Sequence, residues 1–157
     1  TVKDTLSLHD ALPIWPKMTA LAAGRSLGAH PYNITPGHAE EARGIMGRGP
    51  LLCCEQKVCV TEDAELARRI GRAALSFYMD LPNYRNNWLR LGFTEADLAD
   101  GGSDRFIDAM VFHGDVNAVR AQLKAYHDAG ADHVCIQTLR PDGEPGADFA
   151  ALEALAA

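Results

Sequence analysis

The segment 115–137 constrains the fold more than any other part of this sequence. Asp115 is a typical helix N-cap, and apolar residues recur after it at helical spacing as far as Tyr126. Gly130 then stands where a helix end favours a left-handed residue, and the apolar run 131–137 begins at once. A helix that stops at a glycine and leads into a short strand forms the second half of a β–α–β unit. The segment therefore predicts an α/β fold with a parallel sheet.

The rest of the chain repeats this alternation of helices and short strands. Strands are predicted near residues 28–32, 51–60 and 132–138, and the segment 140–146 is predicted to be a loop because it is rich in proline and glycine. Helices are predicted to start at the signals Pro16, Thr35–Pro36, Thr61, Pro82, Ser103 and Asp115, with a last helix in residues 148–157.

The clearest helix follows Thr61, and the spacing of its apolar residues predicts which side is buried. Arg68, Arg69 and Arg72 lie on the side that is expected to face solvent. The side that is expected to pack in the core consists of Leu66, Ile70, Ala73, Ala74 and Phe77.

Two other helices carry comparable predictions. The first helix is expected to weaken or end at Gly24, and the helix after Ser103 is expected to run on to Val111. Thr94 and Asp97 resemble a capping box with Asp in place of Glu. The faces expected to be buried are Met18, Leu21 and Ala22 on the first helix, and Phe106, Ile107, Met110 and Val111 on the later one.

Three strands are few for so many helices, and they make a poor closed sheet. A complete (β/α)8 barrel takes about 250 residues, whereas this chain has 157. The pattern is therefore consistent with an incomplete TIM barrel. Such a piece leaves strand edges unpaired and is not expected to be active alone.

Charge and cysteine content argue against several classes of protein. The net charge of −6 repels phosphate backbones, so no nucleic-acid partner is expected. No apolar run approaches the roughly 20 residues of a membrane-spanning helix, so no membrane partner is expected either. The four cysteines have no CxxC spacing and are expected to be reduced, mostly buried thiols of a cytoplasmic protein: Cys53, Cys54, Cys59 and Cys135.

The N-terminal segment 1–14 matches nothing that follows it. Residues 5–14 are spelled by the codons ACT CTT TCC CTA CAC GAC GCT CTT CCG ATC, a string that resembles a common sequencing adapter. The segment also lacks the basic start and the long apolar stretch of a secretory signal. We expect residues 1–14 to be translated adapter without a structural role, with a natural frayed terminus as the alternative.

Familiar catalytic and metal-binding motifs are absent or out of context. The stretch 24–28 matches GxSxG around Ser26, but a helix is predicted before the serine and a strand after it, which reverses the order of a nucleophile elbow. No HExxH occurs, so no metal site is expected. The other histidines are interpreted as surface or half-buried residues (His38, His113, His127) and as a satisfied core histidine (His133).

Two predicted strand ends carry the candidate binding residues. In α/β barrels, ligands bind at the C-terminal ends of the strands. At the end of the first strand, His30 could donate to an oxyanion or a cofactor carbonyl and Tyr32 could stack on a ring; a packed loop histidine and a half-buried tyrosine are the alternative. Gln137–Thr138 end the last strand with the same geometry and a weaker signal. The helical face formed by Tyr84, Asn87, Trp88 and Leu91 is interpreted as packing or an oligomer contact rather than a substrate wall.

Several segments together resemble the luciferase-like flavin and deazaflavin oxidoreductases, and most closely their coenzyme F420-dependent branch. Each motif is weak alone, but their order and spacing between about residues 16 and 140 are fairly specific. The segments that carry the resemblance are 16–18, 28–32, 35–38, 49–52, 55–58, 81–84 with Asn86–Asn87, 91–94, 97–105 and 130–135.

The resemblance implies the C-terminal part of a TIM-like barrel, spanning residues 15–157. In this family the barrel holds a deazaflavin, and a hydride is transferred at its C5 to or from a small organic substrate. The cofactor-binding positions that the resemblance implies are Pro16, Gly28, Ala29, His30 and Pro31. Relatives have Gly-Pro where this chain has Trp15-Pro16, so only Pro16 matches there. No residue is assigned as catalytic acid or base.

Other functions remain open at this point. FMN shares the tricyclic core of F420, so a flavin-dependent monooxygenase of the same family is the first alternative. A non-catalytic α/β binding or assembly protein, which would keep the fold without a cofactor, is the alternative from another class. A homo-oligomer is compatible with each of them.

Overall fold

The computed structural model describes residues 13–156 and divides them into two compact units. The first unit comprises residues 13–55 and 124–135, and the second comprises residues 56–123 and 136–156. The elements in chain order are α1 (Pro16–Arg25), β1 (Gly28–Ala29), α2 (Pro36–Met46), β2 (Leu51–Val60), α3 (Ala64–Met79), α4 (Pro82–Arg90), α5 (Asp104–Met110), β3 (Val111–Gly114), α6 (Val116–Asp128), β4 (His133–Thr138) and α7 (Phe149–Ala156).

Strand β2 is the partner of each of the other strands. Gly28 and Ala29 of β1 pair in parallel with the start of β2, in register with Leu51 and Leu52. The end of β2 pairs in parallel with β3, from Lys57 opposite Val111 onward. Strand β4 also pairs with β2. The α/β fold with a parallel sheet is therefore confirmed.

In the first unit, helices α1 and α2 begin at the start signals predicted from the sequence. Thr35 caps α2 by accepting a hydrogen bond from the backbone N–H of His38, and Pro36 follows as the first helical residue. Helix α1 packs on α2 and on β1. The buried apolar side chains of this unit include Ile14, Ala22, Ile34, Ala39, Leu52 and Tyr126.

The second unit is centred on an aromatic cluster between α4 and α5. The Trp88 and Phe106 rings lie 4.8 Å apart between centroids in an edge-to-face arrangement, and Phe93 meets Phe106 at 5.2 Å. Ser103 caps α5 by accepting from the N–H of Phe106, as predicted. The predicted face of Tyr84, Asn87 and Trp88 is buried, so packing within the unit accounts for it.

Three local predictions were wrong. The helix after Ser103 ends at Met110, and Val111 begins strand β3, which had no predicted counterpart. Helix α3 is capped by Asp63 rather than Thr61, because the Asp63 side chain accepts from the N–H of Leu66. Strand β1 is also only two residues long.

The buried faces of α1 and α3 also differ from the prediction. In α1, Met18 and Leu21 are exposed, and the helix continues past Gly24 to Arg25. In α3 the buried residues are Ala67, Gly71, Leu75 and Met79, while Phe77 is 70% exposed. The stripe is displaced because Gly71 admits a close neighbour: a Cβ there would lie 2.8 Å from Cγ2 of Ile107.

Strand β4 was expected to be buried, but one of its faces is open. His133, Cys135 and Gln137 are exposed, while the residues between them are half-buried. The core role expected for His133 and the burial expected for Cys135 were therefore wrong. His38, expected to be a surface or half-buried residue, is buried, with 2% exposed. All four cysteines are free thiols, of which Cys54 and Cys59 are buried.

Two further predictions concern the ends of elements. Ser26, the serine of the GxSxG match, ends α1 and donates its hydroxyl to the carbonyl oxygens of Ala22 and Gly28, which confirms a turn between helix and strand. The adapter prediction falls mainly outside the described residues, although Ile14 at its end is fully buried. Within residues 13–156, no helix combines the length and apolarity that crossing a bilayer requires.

Candidate functional site

The residues that follow β1 form an arc, His30–Asn33, which is fastened to strand β2. The His30 Nδ1 atom lies 2.6 Å from the carbonyl oxygen of Cys53. Because a carbonyl only accepts, Nδ1 carries the proton and donates it. The ring is half-buried.

Further along the arc, the backbone takes an unusual conformation. Asn33 has φ +53°, in the left-handed region, and is 3% exposed. Its N–H donates to Oε2 of Glu55 over 3.2 Å, and the Glu55 N–H donates to the carbonyl oxygen of Pro31 over 3.2 Å. The conformation of the arc is thus set by contacts with β2.

Tyr126 also holds the arc, through a hydrogen bond to the residue that follows Asn33. The Tyr126 hydroxyl donates to the carbonyl oxygen of Ile34 over 2.7 Å, and the side chain is fully buried. Burial raises the pKa of Tyr126 well above its usual value, and the charges of Cys54 and Glu55 act in the same direction. Tyr126 therefore stays protonated and keeps donating over the working pH range of most proteins.

The other predicted cofactor positions have visible structural roles. A Cβ on Gly28 would lie 1.9 Å from the carbonyl oxygen of Leu51, so the glycine permits β1 and β2 to pair. Ala29 is 1% exposed. Pro16 begins α1, and the short connection from Arg25 to β1 returns the chain, so α1 starts on the side where β1 ends.

Four of the five predicted cofactor positions, Gly28 to Pro31, are consecutive in the sequence and lead from β1 into the arc. Cys53, Glu55 and Tyr126, which hold this arc, were missed as functional residues. One signal was available: Glu55 is a carboxylate within a predicted strand, and a carboxylate is rarely buried without a purpose.

The thiols beside the arc are unreactive where they are buried. Burial raises the pKa of the Cys54 thiol to about 12, with a further contribution from Cys53. Burial also raises the pKa of Cys53, followed in effect by the nearby charge of Asp132. Thiolate chemistry at neutral pH is therefore disfavoured at both positions.

Arg43 on α2 fastens the start of β2 to the turn before β4. Its guanidinium donates to the carbonyl oxygens of Gly130 at 2.8 Å and Pro50 at 3.0 Å, and to Oδ2 of Asp132 at 2.5 Å. The same Asp132 oxygen accepts from the N–H of Leu52 at 2.8 Å, and this bond, followed by Arg43, lowers the pKa of Asp132. These contacts hold the starts of β2 and β4 together.

A separate cavity of about 410 Å³ lies in the second unit, between α3 and the loop after β4. Its volume is within the range of ligand pockets, about 300–1,000 Å³. None of the predicted cofactor positions lines it. Ile70, Ala73 and Ala74, which were expected in the core, form part of its wall together with Arg69, Leu139, Arg140 and Gly143 to Gly146.

The second unit also holds a charged cluster around Asp108. Arg68 donates from Nε at 2.9 Å and from Nη2 at 2.7 Å to the two carboxylate oxygens, and His113 Nε2 lies 3.2 Å from Oδ1. These contacts, led by Arg68, lower the pKa of Asp108. Because Asp108 is already neutralised by a bidentate partner, the cluster is interpreted as a structural tie between α3, α5 and β3. Among residues 13–156, no group of three or more histidine, cysteine or acidic residues is arranged to hold a metal ion.

Solved structures share this fold. An F420-dependent secondary alcohol dehydrogenase, in complex with an F420–acetone adduct, matches with a TM-score of 0.58 and 14% identity, over 89% of this chain and 46% of its own. The coenzyme F420-dependent tetrahydromethanopterin reductase of Methanopyrus kandleri matches with a TM-score of 0.62 and 15% identity, over 90% and 46%. MsnO8 in its apo form gives 0.54 and 18%, over 90% and 47%.

At these identities the likeness establishes the fold alone. This chain spans just under half the length of the solved structures that it matches. No family model matches the sequence, and no curated protein matches it.

Proposed function

We propose that residues 15–157 are the C-terminal part of an F420-dependent oxidoreductase of the luciferase-like family. The observation that carries the proposal is the likeness of fold, over about nine tenths of the chain, to two enzymes that are named as F420-dependent. The sequence motifs point independently to the same branch. Because the matched proteins are about twice as long, the activity belongs to a longer parent protein and the part alone is inactive.

The residues of the arc are suited to a planar heterocycle. His30 is oriented through its Nδ1 contact with the Cys53 carbonyl oxygen, so Nε2 is the ring nitrogen that would contact the edge of the cofactor ring. Pro31 and the buried Ala29 are compact and apolar, and Tyr32 is a half-buried ring beside them. The half-buried rings of His30 and Tyr32 are therefore the groups of the arc that a planar ligand could reach, and the buried Ala29 and Pro31 lie beside them in the chain.

In the parent protein the cofactor supplies the redox chemistry, a hydride exchanged at C5 of the deazaflavin with a small organic substrate. The arc would contribute position: His30 would hold the edge of the ring, and the arc would exclude water beside it. No proton transfer is assigned to a residue of this chain.

The test is a titration of the parent protein, taken from the source-genome reading frame that contains codons 15–157, with F420 and separately with FMN. Deazaflavin fluorescence is expected to be quenched on binding. His30→Ala is expected to raise the Kd for F420 about tenfold, the worth of one hydrogen bond of about 1.4 kcal/mol in a partly dry site. The matched control His127→Ala, an exposed position on α6, is expected to leave the Kd unchanged.

Other outcomes identify the alternatives. Tight binding of FMN with no response to F420 would favour the flavin-dependent monooxygenase. Binding of neither would favour a non-catalytic α/β protein. A source genome in which no α/β-patterned residues precede codon 15 would contradict the division at residue 15.

A further inference from the structure

Glu55 is a carboxylate buried in the middle of strand β2. The residue is 3% exposed, and the polar residues that follow it in the strand, Gln56 and Lys57, are buried as well. Removing a carboxylate from water is costly unless it is hydrogen-bonded, so a Glu at this position needs a compensating role.

Two hydrogen bonds of Glu55 lead to the arc. Its Oε2 atom accepts the N–H of Asn33, and its own N–H donates to the carbonyl oxygen of Pro31. Asn33 has φ +53°, a conformation that an L-residue keeps only where its surroundings enforce it. Glu55 thus forms hydrogen bonds with two residues of the arc, Pro31 and Asn33, and is the acceptor for the backbone N–H of Asn33.

We propose that Glu55 is a positioning residue, which holds Asn33 in the left-handed conformation and thereby presents His30 and Tyr32 to the cofactor ring. This inference rests on the proposed function for its second half, whereas the hold on Asn33 stands on the hydrogen bonds alone. Glu55 acts through the arc and does not itself touch the reacting atoms.

Substitutions at Glu55 can separate the effect of its hydrogen bond to the Asn33 amide from the effects of its burial and its charge. Glu55→Gln keeps an acceptor oxygen at the same reach, so it preserves the hold on Asn33. Glu55→Met has a similar length but no strong acceptor, so it releases the Asn33 amide. Asn33→Gly adopts φ above zero without strain, so adding it to Glu55→Met restores the arc. Glu62→Met is the matched control at an exposed glutamate.

The first experiment measures hydrogen exchange of the Asn33 amide by NMR in the 157-residue chain, without any cofactor. Glu55→Met is expected to accelerate the exchange about tenfold or more, whereas Glu55→Gln and Glu62→Met leave it within about twofold. Unchanged exchange in Glu55→Met, or an Asn33 amide that exchanges in the unsubstituted chain as fast as in an unfolded peptide, overturns the proposal.

The second experiment measures the Kd for F420 in the parent protein carrying the same substitutions. The expected result is binding about tenfold weaker for Glu55→Met, with recovery in Glu55→Gln and in the double variant with Asn33→Gly. If His30→Ala weakens binding and Glu55→Met does not, the positioning role is overturned while the proposed function survives. If the unsubstituted parent protein binds no F420, the proposed function fails, and the exchange data alone then describe Glu55.

Discussion

Gly24 and Gly28 differ in whether the fold leaves room for a side chain. Gly28 is required because the backbone of β2 occupies the space of a side chain, with the Leu51 carbonyl oxygen 1.9 Å from the position of a Cβ. Gly24 lies within α1, and no atom lies within 4 Å of the corresponding position. Both glycines belong to the GxSxG match, yet only one of them is dictated by the fold.

Alanine substitutions at these two glycines are expected to change stability in opposite directions. Gly28→Ala forces β1 from β2 and should lower the free energy of unfolding by about 3 kcal/mol. Gly24→Ala should raise it by about 0.5–1 kcal/mol, because alanine loses less backbone entropy in a helix. Urea denaturation of both variants measures the difference. Equal destabilisation by the two would contradict the close approach of the strands.

The residue scale is also where sequence reasoning reached least far. His30 could be singled out because it follows a predicted strand end, but the partner of its Nδ1 atom is the Cys53 carbonyl, which no side-chain pattern encodes. The partner of Glu55 could not be predicted from the sequence either. Its hydrogen bond to Asn33 joins residues 22 positions apart, and only the strand register brings them together.

Elements could be predicted wherever their signal is local. The bounds 51–60 of β2 and the caps Thr35, Ser103 and Asp115 depend on residues within one turn, and the structure agrees with them. Strand β3 could not be predicted, because its four residues continue the apolar periodicity of α5 without a break. The face of α3 was missed for a tertiary reason, since Gly71 lets α5 approach the side that carries Ala67, Leu75 and Met79.

The turn between α4 and α5 offers an element-scale test by pH. Asp97 accepts from the N–H of Thr94 at 2.9 Å, the Thr94 hydroxyl at 2.8 Å and the Ser103 hydroxyl at 2.9 Å. These bonds, led by the backbone N–H of Thr94, lower the pKa of Asp97 to about 2. The unfolded value is about 3.9.

Because the folded pKa lies below the unfolded one, Asp97 stabilises the fold above about pH 4, and this contribution is lost as the pH falls towards 2. The difference between the native chain and Asp97→Asn in the urea concentration at the midpoint of unfolding should therefore be largest near pH 6. It should become steadily smaller below pH 4. A constant difference for Asp97→Asn would contradict the depressed pKa.

At the scale of the whole molecule, the open face of β4 is the feature that the proposed parent protein must explain. Among the described residues β4 pairs with β2, and His133, Cys135 and Gln137 remain exposed. In a complete barrel every strand has two neighbours and its inward side chains fill the interior. In the proposed parent protein, further strands would therefore cover this face.

Thiol labelling measures that coverage directly. In the 157-residue chain, Cys135 is expected to react first with iodoacetamide at pH 8, and Cys53 more slowly because it is half-buried with a raised pKa. Cys54 and Cys59 should react only on unfolding, since burial raises the pKa of their thiols to about 12 and about 11.

In the parent protein, Cys135 is expected to become at least about tenfold slower to label, because the added strands enclose it. Mass spectrometry of the alkylated peptides assigns each site, and Cys54 serves as the internal control because its burial is already complete in this chain. Equal labelling rates of Cys135 in the two proteins would mean that no further strands cover β4, and the barrel would have to be abandoned while the arc and its contacts remained.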